Sequence, residues 1–142
     1  MEEITANLVK KLFEEDFLEY LHTFRFTGDI WAVPEGTPVF PNEPLITVRA
    51  TAAQAQLIET YALLCLNHQS LIATKANRVV RAAKGRTVLE FGSRRAQGVD
   101  GALVGARAAY IGGVHGTACA ISDQVYGVPA AGTMAHSWVQ MF

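Results

Sequence analysis

Two short segments carry the residues best suited to chemistry. Gly132-Thr-Met-Ala-His-Ser137 sets a histidine beside a serine, and Glu90-Phe-Gly-Ser-Arg-Arg-Ala-Gln-Gly98 holds adjacent arginines. A neutral imidazole nitrogen can act as a nucleophile or carry a proton. Guanidinium stays charged, so Arg94 and Arg95 cannot both enter a core without anionic partners, and at least one should face a ligand or a carboxylate. Gly92 and Gly98 frame the turn and let a ligand approach the backbone closely. Arg94, Arg95, Thr133 and His136 together would make an anion site beside a nucleophile. A histidine after a strand is more often a surface or structural residue, so spacing alone leaves both readings of His136 open. His68 lies on an otherwise apolar helical stretch, and His22 and His115 have no evident chemical partner. The four histidines and two cysteines show no zinc-ligand spacing, so no protein metal site is expected.

Positioning these residues requires a strand before each segment. Thr87–Phe91 reads as one, Val128–Ala131 as a second, short and buried. Between them, alanine-rich Asp100–Ile111 reads as a helix broken at Gly112-Gly113, and about Cys119 to Tyr126 as a shorter helix closed by Gly127. Gly112-Gly-Val-His-Gly116 is only loosely like a phosphate loop and reads as a helix stop. Strand, helical crossover and strand argue for a parallel pair, with chemistry collecting beyond the carboxyl ends. If the two strands are adjacent, their ends bring Arg94, Arg95, Thr133 and His136 together.

Upstream, apolar residues from about Ile4 to Phe24 recur at helical spacing, as one broken helix or two short ones. From Phe26 to Arg49 the runs DIWAV, TPVF and LITVRA, separated by proline-bearing turns, predict a small antiparallel sheet. Thr51 and Gln54 fit a capping box at the start of a helix running to about Lys84, with Gly85 as left-handed stop. Asn67-His-Gln-Ser70 interrupts its apolar stripe, so the helix bends there or two helices abut. Lys and Arg near its end offset the negative end of the helix dipole. That is the sober reading of Arg78, Arg81, Lys84 and Arg86; a phosphate-binding role is the other.

With 142 residues, 50% of them hydrophobic and 18% charged, the chain can bury a core, and a formal net charge of −1 gives no global case for nucleic acid or an anionic membrane. Met1-Glu-Glu lacks the positive start of a signal peptide, and no run is long enough to span a membrane. Cys65 and Cys119 are far apart in the sequence and suggest reduced thiols in a cytoplasmic setting, as buried small hydrophobes.

The stretches LEFGSRRAQGVDGALVGARAAYIGG and GVPAAGTMAHSWVQMF closely resemble the nicotinate phosphoribosyltransferases. FTGDIWAVPEGTPVFPNEPLITVRA and NHQSLIATKANRVVRAAKGR match the same family, so the resemblance runs along nearly the whole chain. It implies a cytoplasmic enzyme of NAD salvage that forms nicotinate mononucleotide from nicotinate and phosphoribosyl pyrophosphate, coupled to ATP hydrolysis, with Mg on the substrate phosphates. In the family's terms His136 corresponds to the histidine that ATP phosphorylates, and Thr133 to a nicotinate contact. Arg94 and Arg95 supply charge for a carboxylate or phosphate, and Ser137 is a supporting candidate. Phe91 lies where a related nicotinamide-using family stacks a ring on the pyridine. Ser93 and Val99 stand where the family more often carries a bulky apolar residue and a proline.

The resemblance also sets the expected organisation. Residues 1–86 would form a helical and β N-terminal domain with the long helix, and 87–142 the start of an α/β barrel. The family's front segment, with a tyrosine that packs on nicotinate from a neighbouring subunit, has no counterpart before Met1. Later barrel segments that hold phosphoribosyl pyrophosphate have none after Phe142. A closed barrel of this kind takes about 250 residues, so two strands give an incomplete one, inactive when isolated and inclined to form a homo-oligomer or to pair with a complementary chain. A non-catalytic interaction module and a nicotinamide- or quinolinate-using relative are the alternative readings.

Overall fold

A computed structural model describes residues 12–142. The expected helical pattern before residue 12 lies outside the described residues. The fold is mixed α/β, with an antiparallel two-stranded sheet, a long helix, and a parallel two-stranded sheet. The described residues up to Ala32 together with Pro44–Leu57 make one compact unit, and Val33–Glu43 with Ile58–Phe142 make the other.

In the first unit, α1 (Glu15–Thr23) places Glu15 and Asp16 in its first turn, where the helix dipole favours negative charge. Phe13, Phe17, Tyr20 and Phe24, three or four residues apart, stack along one side with ring centroids 5.1–6.2 Å apart. Strands β1 (Asp29–Ala32) and β2 (Ile46–Arg49) pair antiparallel, with Asp29 opposite Arg49 and Ala32 opposite Ile46. The predicted TPVF strand, in the stretch that belongs to the second unit, does not form. Thr37 N–H donates to the Pro34 carbonyl at 3.2 Å and Phe40 N–H to Glu43 Oε2 at 3.1 Å, so this proline-rich stretch folds into turns. Pro38 has no N–H to give a ladder.

Helix α2 (Ala52–Ala82) is continuous over 31 residues, which rules out two abutting helices. The amide of Gln54 does not close a capping box. It tethers the preceding loop instead, accepting the Thr27 N–H at 3.2 Å and donating to the Arg25 carbonyl at 3.5 Å. Lys84 and Gly85 both turn left-handed (φ 49° and 82°) and end the basic stretch as the sequence predicted.

The second unit is organised around strand β3 (Leu89–Glu90), helix α3 (Gly98–Ile111), strand β4 (Gly116–Thr117) and helix α4 (Ala120–Tyr126). α3 buries Gly105, Ala106, Ala108 and Ala109. Small residues are what this seam demands. A Cβ on Gly105 would come within 3.2 Å of Ile72, and one on Gly112 would lie 2.5 Å from the Ala73 carbonyl and 2.9 Å from the Ala76 Cβ. Asn77 Nδ2 donates to the Gly112 carbonyl at 3.3 Å and satisfies an acceptor at the end of α3. Ser122 Oγ donates to the Leu103 carbonyl at 2.9 Å, tying α4 to α3, and Val114 and Val128 are buried beneath them.

The parallel pairing differs from the sequence expectation in one respect. β3 pairs with β4, which lies in the glycine-rich stretch read as a helix stop, and the expected second strand is reduced to a parallel bridge between Thr117 and Ala130. β4 thus separates residues 88–90 from 129–131. His115 N–H donates to the Val88 carbonyl at 2.9 Å on one side, and Ala131 N–H to the Thr117 carbonyl at 2.8 Å on the other. β4 and the residues on either side of it, His115 and Ala118, hold both segments.

Within the same unit, Arg107 donates through both Nη atoms to Glu35 at 2.6 and 2.5 Å, and its guanidinium lies 5.5 Å from the centre of the Tyr126 ring. The hydrogen bond from Arg107 holds the Glu35 carboxyl below its usual range, against a smaller opposing effect of burial.

Two outcomes follow from these contacts. Gly112→Ala drives a methyl into α2 backbone and should lower the unfolding free energy by about 1–3 kcal/mol in urea denaturation. Because Glu35 is depressed in the fold, its contribution is present above the unfolded carboxyl range and is lost as pH falls through the folded value. Glu35→Gln should therefore flatten the acid side of the melting-temperature profile. The carboxylate side chain is 59% exposed, so the pair contributes below about 1 kcal/mol.

Candidate functional site

The carboxyl ends of three parallel segments define the candidate site. After β3 the chain passes through Phe91 and Gly92 into a single 3-10 turn, Ser93–Arg95, closed by Arg95 N–H donating to the Gly92 carbonyl at 2.8 Å. After Ala130 it runs through Gly132 and Thr133 to a short helix, α5 (His136–Val139), whose first residue is the candidate nucleophile. The ends of β3 and of the Ala130 segment are therefore not adjacent, as the sequence suggested, but flank β4. Arg94 and Arg95 leave from one flank, Thr133, His136 and Ser137 from the other, all at the same edge of the sheet.

All five of these residues are exposed, as is Phe91. Among the described residues, the side chains of Arg94, Arg95, Thr133 and His136 have no hydrogen-bond or ion-pair partner. Such groups are free to meet a ligand, and the cost of desolvating a guanidinium pair is offset only by an anion. The Ser93 hydroxyl oxygen is buried with no hydrogen-bond partner. No group of three His, Cys, Asp or Glu side chains able to hold a metal ion occurs among the described residues.

Sequence reasoning passed over the residues that fix this edge. Thr117 is completely buried, and its hydroxyl donates to Glu90 Oε2 at 2.6 Å while accepting the Cys119 N–H at 3.0 Å. The other oxygen of Glu90 accepts the Gly92 N–H, and the Glu90 carbonyl accepts the Ala118 N–H at 2.9 Å. A two-residue strand has no period to detect; the only signal in the sequence was Val114 and Thr117 following a glycine pair. His115 also has a structural place, its Nδ1 accepting the Val88 N–H at 3.3 Å. His68 is half-buried and faces Gly101 and Gly105 of α3.

Comparison with known proteins agrees with this architecture. Residues 4–67 match the model of the nicotinate phosphoribosyltransferase (NAPRTase) N-terminal domain. The nicotinate phosphoribosyltransferase pncB2 of Mycobacterium tuberculosis is 51% identical over 130 residues, covering 92% of this chain and 28% of that protein. The nicotinate phosphoribosyltransferase of Caenorhabditis elegans is 43% identical over 140 residues, covering 94% of this chain and 25% of that protein. A crystal structure of human nicotinic acid phosphoribosyltransferase superposes with a TM-score of 0.81 at 38% identity, over 99% of this chain and 28% of the human one. The chain thus spans little more than a quarter of the length of the relatives it matches. Residues 4–67 thus resemble the N-terminal domain of the nicotinate phosphoribosyltransferases, and the chain as a whole is similar in sequence and in fold to part of those proteins.

Proposed function

We propose that this chain contributes one edge of a nicotinate phosphoribosyltransferase active site, in which nicotinate and phosphoribosyl pyrophosphate give nicotinate mononucleotide and pyrophosphate in the cytoplasm. The observation that carries the reading is the common sheet edge, where an unpaired arginine pair and an unpaired histidine leave on either side of β4. The 51% identity to a nicotinate phosphoribosyltransferase supports it.

In this reading a neutral ring nitrogen of His136 attacks the γ-phosphorus of ATP. A nitrogen–phosphorus bond forms, the bridging oxygen–phosphorus bond breaks, and ADP leaves with the electron pair. Nicotinate is held by its carboxylate, through the Thr133 hydroxyl and the Arg94 or Arg95 guanidinium, and its ring nitrogen displaces pyrophosphate from C1 of the phosphoribosyl group. Phe91 offers a ring face for the pyridine, and Ser137 lies next to the phosphoryl acceptor. Magnesium in this scheme sits on the substrate phosphates, where it neutralises charge, and no step is routed through a protein-held metal.

Exposed apolar side chains on α2, among them Tyr61 (73%) and Leu71 (64%), support a second element of the reading: the chain functions against another polypeptide surface, a second copy or the remaining barrel. Self-association in sedimentation at micromolar concentration is expected, and a compact monomer with a cooperative melt would contradict it. For the chemistry, the segment is assayed in a polypeptide of the relatives' length with ATP and phosphoribosyl pyrophosphate present. His136→Asn should abolish phosphate incorporation from labelled ATP and the ATP stimulation of synthesis while leaving the fold intact; wild-type labelling stoichiometry would remove His136 from the mechanism. Thr133→Val should weaken nicotinate binding by roughly 1–3 kcal/mol, read as a rise in KM for nicotinate.

A further inference from the structure

The Glu90 side chain does something no backbone ladder requires. Its Oε2 accepts from the hydroxyl of Thr117, a residue with no exposed surface, and its Oε1 accepts the N–H of Gly92. Gly92 in turn offers its carbonyl to Arg95 N–H at 2.8 Å, closing the turn Ser93–Arg95. A continuous run of hydrogen bonds thus leads from the buried strand β4, through one carboxylate, to the backbone that carries both arginines. A Cβ on Gly92 would lie 2.8 Å from Glu90 Oε1, so glycine leaves the carboxylate the room it occupies.

A carboxylate next to an anion site is a liability unless its lone pairs are engaged elsewhere. Here both oxygens accept hydrogen bonds, one from the fully buried Thr117 hydroxyl and one from the Gly92 backbone N–H. Hydrogen bonds to an ionised acceptor are about twice as strong as neutral ones, and a backbone already fixed beneath the arginines lowers the entropy lost when an oxyanion binds.

We propose that Glu90 is a positioning residue: its carboxylate, spanning the Thr117 hydroxyl and the Gly92 N–H, fixes the backbone of the Ser93–Arg95 turn, so that Arg94 and Arg95 reach an incoming oxyanion from a base already set. This rests on reading the arginine turn as an anion site. The shared chemistry of its ligands is the oxyanion, whether the carboxylate of nicotinate or a phosphate of the second substrate.

The test uses the isotope-labelled chain and two probes, nicotinate and inorganic pyrophosphate, with binding followed through the Nε–Hε signals of Arg94 and Arg95. Glu90→Gln should move the Gly92 amide proton upfield and weaken binding of the probe that engages the turn by roughly fivefold to tenfold. Glu90→Asp keeps the charge but is one methylene too short to span both partners, so it should show the same loss; full rescue by aspartate would overturn the two-point role. Thr117→Val releases only the buried end and should also weaken binding. If it fails to fold, the Glu90 pair decides. A lower melting temperature with the Gly92 signal and probe affinity unchanged would mark a purely structural role and overturn the proposal. An altered Gly92 signal with unchanged affinity would also overturn it. Failure of the anion-site reading is distinguishable: wild type and Arg94→Ala/Arg95→Ala would then respond alike to both probes, and positioning falls with it.

Discussion

The hydrogen bonding of β4 is the constraint on which the second unit depends. Two residues, Gly116 and Thr117, serve the segments on both sides, and Thr117 adds a buried hydroxyl that donates to one neighbour's side chain and accepts from its own loop. Burying a hydroxyl without partners costs a few kcal/mol, so the bonds that satisfy Thr117 also specify where residues 90 and 119 must stand. Everything at the carboxyl edge is placed relative to that pair, including the arginine turn and the segment leading to His136.

The helices serve this arrangement by packing rather than by length. α3 connects β3 to β4 and presents glycine and alanine to α2, so two backbones come closer than larger side chains permit. α4 is short but tied to two neighbours through adjacent residues, by Ser122 to the Leu103 carbonyl and by Asp123, whose carboxylate accepts the Ala130 N–H at 3.3 Å. The latter bond links the crossover helix directly to the strand bridge it leads into. In the other unit, the exposed Asp29–Arg49 pair and the guanidinium 5.6 Å from the Trp31 ring reinforce a sheet of two four-residue strands without burying it.

Much of this was legible because some signals are local and redundant. The length of α2 could be read from its apolar spacing and from Gly85, and its continuity showed that four polar residues at 67–70 interrupt a stripe without interrupting a helix. Gln54 misled because a side chain that can cap its own helix can also reach another segment, and sequence holds no record of that competition. TPVF misled because β-prone residues between prolines have no neighbouring strand to receive them. The chemistry-bearing residues could be picked out by type, since an arginine pair and a histidine after strands are conspicuous. Their arrangement could not, because the strand between them is two residues long and its pairing is wholly non-local.

The Gly112 notch sits at the end of α3 that leads into β4, on the far side of the sheet from Arg94 and His136. Its tolerance is less than one methyl group, and the loop that follows is only four residues, Gly112 to His115. The depth to which α3 seats on α2 therefore sets how far β4 advances toward the opposite edge. The notch works as a mechanical stop, a backbone-to-backbone contact remote from the arginine turn that anchors the entry to β4.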